Sequence, residues 1–394
     1  MRTHLPSGVI TLGFVSLFMD LSSEMIHSLL PVFLVTVLGA SAMAVGLIEG
    51  IAEATAAFAK VFSGAISDWV GRRKPLVLLG YGLAALSKPL FPLAGSIGAV
   101  LLARFLDRVG KGIRGAPRDA LIADIAPEAQ RGAAYGLRQA MDTVGAFAGP
   151  LIAMLLMAAT HDDFRLVFWV AVLPAAVCVL LIVFGLQEPE ATRPIPAARF
   201  PIRREALTRL PARYWKIVGF GAVLTLARFS EAFLLLRAEV LGLAATWIPL
   251  ILIVMNVFYA ASAYPFGRLA DTMSRRALLL ASVALLVAAD LVLATAGDVW
   301  LVGVGAVLWG LHMGASQGLL STLVAAHCPE ALRGTGFGVF HLVSGASLLL
   351  ASVIAGALWS KLGPAATFYA GAGFALVAGA GLMLDAQQKP REKR

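Results

Sequence analysis

Three ionisable residues lie close together near the start of the chain, within a long apolar run. Asp20, Glu24 and His27 are spaced i, i+4 and i+7, so a helix would carry all three on one face, with Ser23 beside them. Ionisable side chains inside a membrane are costly and are therefore candidates for function. Carboxylates held there can take up protons or bind a cationic or polar substrate.

The second apolar run carries Glu49, Glu53 and Lys60, again on one helical face. Two interpretations of the acidic residues of the first two runs stay open. In one, they couple transport to protons or bind substrate. In the other, they pair with basic residues and hold the helices together, and Lys60, two turns from Glu53, is a ready partner.

Basic residues dominate the fourth apolar run, where Arg104, Arg108 and Lys111 share a face. The fifth run carries Arg138 and Asp142, which can pair within their own helix at i and i+4 or reach across to the fourth. We interpret Arg104 as a cavity residue, and Arg108 and Asp142 as partners in a buried network.

The second half of the chain contains fewer such groups. Arg228 and Glu231 lie in the seventh apolar run, and Asn256, the only asparagine of the chain, lies in the middle of the eighth. The asparagine position favours a contact with a cavity. Asp290, in the ninth run, could equally face the lipid headgroups.

Several patterns typical of enzymes occur in the wrong context. The glycines of residues 110–115 fit a dinucleotide-binding pattern but follow a helix instead of a strand. Residues 314–318 fit a nucleophile elbow but lie within an apolar helix. The sequence has no P-loop, no HExxH and no cysteine pair suited to a metal. We therefore expect no enzyme activity, no cofactor and no metal site.

The composition indicates a membrane protein. Of 394 residues, 59% are hydrophobic and 14% are charged, whereas soluble domains carry about 25% charged residues. A spanning helix needs roughly 20 apolar residues, and twelve runs qualify. They lie near 9–38, 43–66, 75–94, 97–113, 132–158, 166–186, 214–240, 246–266, 277–296, 299–326, 334–359 and 366–384.

The distribution of Lys and Arg predicts the orientation. Most of the basic residues behind the net charge of +9 fall in segments that an even number of spans places on one side, and that side is the cytoplasm by the positive-inside rule. Both termini are then cytoplasmic, in a plasma (inner) membrane. We predict a six-helix bundle over 1–187, a cytoplasmic linker over 188–212, a second bundle over 213–385 and a basic tail over 386–394.

Two motifs recur at nearly the same offset. Residues 64–73, GAISDWVGRR, return at 267–276 as GRLADTMSRR, an offset of 203, and each copy follows the second helix of its half. Residues 127–136, PEAQRGAAYG, return at 329–338 as PEALRGTGFG, an offset of 202. Two motifs with one spacing indicate a duplication, and the matching orientation of the helices makes it a parallel repeat.

At these residues the chain resembles the major facilitator superfamily over nearly its whole length. Residues 64–74 are similar to that family's cytoplasmic gating signature, and the second copy departs from it at Ser274, where glycine is usual. Residues 145–150, GAFAGP, resemble a motif of the family's exporters without its last glycine pair. The resemblance implies an all-α membrane fold of about twelve helices in two bundles related by a pseudo-twofold axis, and alternating access.

The signature loops predict a gate. Asp68 ends a helix, where it can meet Arg72, Arg114 or the positive end of a helix, while Gly64 and Gly71 permit close packing and a tight turn. Such ion pairs would hold the cytoplasmic side shut in one state and break in the other. The predicted gating residues are Gly64, Asp68, Gly71, Arg72, Arg73, Arg108, Gly267, Asp271 and Arg275.

The sequence thus predicts a secondary active transporter of a small organic compound, a proton-coupled exporter acting as a monomer in the lipid bilayer. Uptake of a sugar, organic acid or metal chelate by proton symport is the alternative, and a non-transporting sensor or assembly factor a remote one. Nucleic acid is not an expected partner. The predicted coupling or substrate-binding residues are Asp20, Glu24, His27, Glu49, Glu53, Arg104, Arg138, Asp142, Arg228, Glu231 and Asn256.

Overall fold

The computed structural model describes residues 5–70, 72–127, 130–187, 207–329 and 332–387, and its regular elements are helices throughout these ranges. The first half contains α1 (Ser7–His27), α2 (Leu30–Thr36), α3 (Ala42–Val70), α4 (Lys74–Ser87), α5 (Leu90–Leu93), α6 (Ile97–Ile125), α7 (Arg131–Ala159) and α8 (Phe164–Gly185). The second contains α9 (Ala212–Ala227), α10 (Ala232–Val240), α11 (Pro249–Thr272), α12 (Arg275–Thr295), α13 (Val299–His327), α14 (Arg333–Leu362) and α15 (Pro364–Gln387).

The predicted all-helical membrane architecture is confirmed. Eleven spans within the described residues are long and apolar enough to cross a bilayer. The one predicted span outside these eleven is the fourth in the chain, and it coincides with α6. The 29 residues of α6 reach about 43 Å at 1.5 Å per residue. Its many charged residues set α6 apart from the other eleven.

Helix α6, which contains the fourth predicted span, extends beyond residue 113, the limit of that span. Helix α6 continues through Pro117 to Ile125. The charged residues beyond Gly112 do not end the helix, because neighbouring side chains receive them: the Arg114 guanidinium lies 4.4 Å from the centre of the Tyr81 ring, and Arg118 Nη1 donates to Ser16 Oγ at 3.2 Å.

Three spans are interrupted. Pro31 in the first turn of α2 and Pro89 before α5 follow two of the breaks, in keeping with a residue that disrupts the interior of a helix. The third break, between α9 and α10, has no proline, and residues 228–230 are not helical there. The break in the first span, at residue 28, and the break in the seventh differ by the repeat offset.

The chain divides into two compact units. Unit 1 comprises residues 1–40, 51–201 and 244–250, and unit 2 comprises 41–50, 202–243 and 251–394. In unit 2, residues 41–50 pack against α14, where a Cβ on Gly356 would lie 2.7 Å from Ala42 O. The predicted linker lies outside the described residues up to 206, as does the tail beyond 387, and the predicted domain limits stay predictions.

The same packing scheme occurs in both units. In unit 1, α1 packs against α7 and α8, while α4 packs against α6 and α8. In unit 2, α9 packs against α14 and α15, while α12 packs against α13 and α15. Each pair in one unit has its counterpart at the repeat offset in the other, which supports the duplication inferred from the motifs.

One glycine contact recurs almost atom for atom. A Cβ on Gly112 would lie 2.9 Å from Ala56 O and 3.1 Å from Lys60 N, and a Cβ on Gly314 would lie 2.9 Å from Tyr259 O and 3.0 Å from Ala263 N. Small residues at a helix crossing let two backbones approach closely. The second and fourth helices of each half therefore cross at a glycine.

We expect Gly112→Val and Gly314→Val to destabilise the protein by about 1–3 kcal/mol each, because overpacking a close contact forces backbone shifts. The apparent Tm of the purified protein in detergent should fall by several degrees for both.

The matched controls are Gly82→Val and Gly303→Val, where an added Cβ meets no heavy atom within 4 Å. If the two controls lower the Tm as much as the two crossing variants do, close packing at the helix crossings is not the reason for the loss of stability.

Candidate functional site

Two glycines bring α7 against the acidic face of α1. A Cβ on Gly145 would lie 2.6 Å from Leu17 O and 3.1 Å from Asp20 Cβ, and a Cβ on Gly149 would lie 2.8 Å from both Leu21 O and Glu24 Cβ. Neither approach leaves room for a side chain. The segment that resembles an exporter motif thus packs directly against α1 at Asp20 and Glu24.

A chain of ion pairs runs through the interior of unit 1. Lys88 Nζ lies 2.8 Å from Asp107 Oδ1 and 2.9 Å from Ser23 Oγ. Asp107 Oδ2 lies 3.6 Å from Arg108 Nε, and Arg108 Nη1 lies 3.0 Å from Glu53 Oε1. One continuous network therefore links α1, the end of α4, α6 and α3.

Lys88 was absent from the site predicted from sequence. It follows α4 directly, at the end of an apolar run and before Pro89, and its side chain is only 2% exposed. The available signal was a lysine buried in a span, since such a residue requires a counter-ion.

A second network surrounds Arg118. Its Nη1 donates to Ser16 Oγ and lies 3.9 Å from Asp142 Oδ1, while Arg138 Nη1 donates to Asp142 Oδ2 at 2.5 Å. Helices α1, α6 and α7 meet here.

Arg108 and Asp142 are therefore not partners of one another, which corrects the pairing inferred from sequence. Each belongs to a separate network, because Glu53 and Asp107 lie nearer to Arg108, whereas Arg138 lies one turn from Asp142 on its own helix. The alternative in which Arg138 and Asp142 pair within α7 is the one observed.

The carboxylates of α1 and α3 remain accessible while the basic groups beside them are buried. The side chains of Glu53 and Asp20 are 32% and 30% exposed, against 3% for Arg108 and 6% for Arg114, which lies 3.9 Å from Asp20 Oδ1. Glu24 is 22% exposed, and its Oε2 lies 3.5 Å from His27 Nδ1. The carboxylates are thus more accessible than the guanidinium groups of α6 beside them.

Lys111 is exposed within this acidic face and interacts electrostatically with Glu53, Asp20 and Glu24. Arg104 is buried one turn before Arg108 and contributes to the electrostatic field at Glu53 and Asp107. Both residues therefore add positive potential beside the acidic face.

Lys60 is not the partner of Glu53. Its side chain is exposed, and Arg108 of α6 takes that role instead. The pairing interpretation of Glu53 therefore holds with a different basic residue, and about a third of the carboxylate side chain still remains open.

Glu49 lies one turn before Glu53 on the same continuous helix, α3, so the two share a helical face as their spacing predicts. Glu49 is buried, with 1% exposure, whereas the side chain of Glu53 is 32% exposed.

Unit 2 contributes a smaller polar group around the break between α9 and α10. The Arg228 guanidinium interacts electrostatically with Glu231 and Tyr259, and all three side chains are half-buried. Asn256 lies on α11 one turn before Tyr259 and is also half-buried.

The predicted gate is described only in part. Arg73 Nε donates to Asp124 Oδ2 at 2.5 Å, which ties the start of α4 to the end of α6, and Arg72 is exposed. The side chains of Asp68, Asp271 and Arg275 lie outside the described residues, as does Gly71. Gly64 and Gly267 lie within α3 and α11. Among the described residues, no group of three His, Cys, Asp or Glu could hold a metal ion.

Comparison with known proteins identifies the relatives of the chain. The sequence model described as Major Facilitator Superfamily matches residues 12–256 and, again, 219–394. An MFS-type transporter of Methanocaldococcus jannaschii is 32% identical over 389 residues, which cover 95% of this chain and 94% of the relative. The double match agrees with the internal repeat.

Two further similarities are less direct. The multidrug resistance protein MdtH of Proteus mirabilis is 32% identical over 205 residues, covering 51% of this chain and 49% of MdtH. The crystal structure of a mutant of the nucleoside transporter NupG superposes with a TM-score of 0.81 over 97% of this chain and 100% of NupG, at 13% identity. The latter match concerns the fold alone.

We expect Lys88→Met to destabilise the protein by about 3–5 kcal/mol, since removing one partner of a buried ion pair leaves a charge uncompensated. Lys88→Met combined with Asp107→Leu should recover much of that loss, because an apolar pair needs no counter-ion. Thermal unfolding of these two variants in detergent measures both effects.

Arg73→Gln serves as the control, because its partner Asp124 is 43% exposed and exposed pairs contribute about 0–1 kcal/mol. A double variant as unstable as Lys88→Met alone would contradict a specific pairing of Lys88 with Asp107.

Proposed function

The chain belongs to the Major Facilitator Superfamily and is a multi-pass membrane transporter, and on that premise we propose that it exports a small organic compound in exchange for protons. The observation that carries the proposal is the acidic face of unit 1. There, Asp20, Glu24 and Glu53 remain accessible in front of buried basic residues.

Competition at these carboxylates gives an exchange mechanism. A proton on Glu53 would remove the charge that attracts Arg108 and would leave Arg108 to Asp107, 3.6 Å away. A cationic or polar group of the substrate would need the same carboxylate in its ionised form. Proton and substrate would then bind in alternation, and each would weaken the other, because linkage between two ligands is reciprocal.

Two observations support export. The glycines of α7 that seat Asp20 and Glu24 belong to a segment resembling an exporter motif, and half of the chain is 32% identical to a protein named for multidrug resistance. The second candidate is uptake of a polar metabolite by proton symport. Buried Arg104 and half-buried Arg228 favour it, because guanidinium groups suit anionic ligands.

We further propose that the transporter resides in the plasma (inner) membrane as a monomer, with both termini in the cytoplasm. The basic residues of the loop after α3, of the segment 188–212 and of the tail support this orientation.

Flux into inverted membrane vesicles tests the function directly. With the vesicle interior acidified, an exporter that exchanges protons should accumulate the lipophilic cation tetraphenylphosphonium or ethidium, and nigericin, which collapses the pH gradient, should abolish the accumulation. A panel of organic anions and sugars is measured in parallel. Accumulation of a compound in right-side-out vesicles with acid outside would contradict export and support uptake by proton symport. Flux that is independent of the pH gradient for every compound would exclude proton coupling.

We expect Glu53→Gln and Glu24→Gln to reduce accumulation driven by the pH gradient by about tenfold, within the range of coupling between two ligand sites. Neither amide can take up a proton, and neither can present the ionised oxygen that the substrate requires, so exchange of labelled for unlabelled substrate without a gradient should fall as well.

Asp163→Asn is the matched control in unit 1, because Asp163 caps α8 through its side chain and asparagine caps equally well. If both Gln variants keep the full gradient dependence of the wild type, the coupling carboxylate lies elsewhere, with Asp20 and Asp142 next in order.

We expect Asp68→Asn to lower turnover strongly while membrane insertion and Tm stay near those of the wild type, because a gate ion pair forms in only one conformation. Initial rates of exchange, normalised to protein in the vesicles, measure the effect, again with Asp163→Asn as control. Wild-type rates in Asp68→Asn would exclude a gating role.

A further inference from the structure

Asp290 is the most completely buried acidic residue of unit 2, and the proposed function does not use it. Its side chain, on α12, has 0% exposure, so the prediction that it could face lipid headgroups is wrong. A Cβ on Gly371 of α15 would lie 2.6 Å from Asp290 Oδ2 and 2.9 Å from Phe229 Cε1. Asp290 and Phe229 therefore both pack against Gly371, with no space for another side chain there.

Both carboxyl oxygens of Asp290 lack a hydrogen-bond partner within the described part of the chain. Its cover is aromatic: Phe229 packs on Phe233, Trp309 and Phe368, with ring centres 5.5, 5.5 and 5.6 Å apart. A buried ionised carboxylate without a counter-ion or donor is among the costliest groups in a protein. The packed surroundings therefore favour the neutral acid over the ionised carboxylate.

The charged and titratable groups of the neighbouring helices are engaged elsewhere. Arg237 of α10 donates to the carbonyls of Leu293 and Ala296, at the end of α12. His312 of α13 lies with Nδ1 2.9 Å from Ser282 Oγ, and Tyr369 of α15 is exposed. Arg276, on α12 itself, donates to Met383 O. Arg228 interacts with Glu231 and Tyr259. Within the described residues, none of these groups forms an ion pair with Asp290.

The repeat makes the contrast with unit 1 explicit. Subtracting 202 from Asp290 gives Lys88, which is equally buried but bonded to Asp107 and Ser23. At the same place in the fold, unit 1 holds a satisfied ion pair, whereas unit 2 holds an acid without a hydrogen-bond partner among the residues that the structure describes. An apolar residue would pack there without any such cost, so the packing itself does not account for an aspartate.

We propose that Asp290 is a proton-binding site of unit 2, closed in this conformation and opened by movement of the break between α9 and α10. Phe229 is part of that break, flanked by Arg228 and Glu231 of the candidate site. A shift of Arg228 or Glu231 displaces Phe229 and admits water, and the hydrated carboxyl group releases its proton. The role of this proton in transport rests on the proposed function; its presence on Asp290 does not.

The first test is chemical and needs no substrate. The apolar reagent dicyclohexylcarbodiimide adds to protonated carboxyl groups, and the purified protein in lipid vesicles is treated with it at a series of pH values before peptide mapping by mass spectrometry. We expect modification at Asp290 but not at Asp107, which is 4% exposed yet paired with Lys88 at 2.8 Å. Modification of Asp107 to the same extent, or none at Asp290 at any pH, would overturn the proposal.

The second test asks whether this proton is used. With tetraphenylphosphonium as the probe, Asp290→Asn should lower pH-driven accumulation about tenfold and leave gradient-free exchange near the wild-type rate. Asp290→Glu, which keeps the carboxyl group, should retain part of the driven accumulation. Asp298→Asn, at the cap of α13, is the matched control. Wild-type accumulation in Asp290→Asn, or loss of both activities in a variant with normal Tm, contradicts a coupling role.

Failure of the proposed function has a different signature. If the wild-type protein exchanges the probe but ignores the pH gradient, proton coupling is excluded, while modification of Asp290 still decides whether that residue carries a proton.

Discussion

The cost of placing ionised groups within the thickness of a membrane governs the construction of unit 1. Helix α6 carries Arg104, Asp107, Arg108, Arg114 and Arg118, and no bilayer would accept it by itself. It is accommodated because α1, α3, α4 and α7 each supply an opposite charge or a polar contact, from Asp20, Glu53, Lys88 and Asp142 among others. The neighbouring helices of unit 1 thus supply the partners for the charged side chains of α6, which would be unstable in lipid without them.

Close helix crossings are the condition for this pairing, since ion pairs of about 3 Å require backbones that nearly touch. Gly145 and Gly149 admit α1 to α7, and Gly80 and Gly110 admit α4 to α6, where a Cβ on Gly80 would lie 2.8 Å from Gly110 O. At the repeat offset of 202, the last two positions are Ser282 and His312, joined at 2.9 Å. The equivalent helix crossing is therefore packed in two ways: through two glycines in unit 1, and through a hydrogen-bonded pair of side chains in unit 2.

Sequence periodicity predicted the spans, the duplication and the acidic face of α1, because these depend on local spacing along a helix. It did not predict the ion-pair partners, because these depend on which helices are neighbours and on the residues at which they cross. Glu53 therefore pairs with Arg108 instead of Lys60. The extent of α6 was underestimated for the same reason: residues that end a helix in lipid continue it when neighbours take up their charges. The position of Asp290 within an apolar run marked it as unusual, but spacing alone did not show whether its side chain is buried or faces the headgroups.

The arrangement of the charges also bears on movement. Breaking a buried ion pair outright is costly, and a transporter held by isolated pairs would be locked. In unit 1, however, Asp107 lies between Lys88 and Arg108, and Asp142 lies between Arg138 and Arg118. A carboxylate with two basic neighbours can pass from one to the other without ever being left alone. Under the proposed exchange mechanism, helices joined in this way could shift without leaving a carboxylate unpaired, and a proton added to Glu53 or Asp20 would bias which partner is kept. The charges that stabilise the bundle would then also permit the movement that alternating access requires.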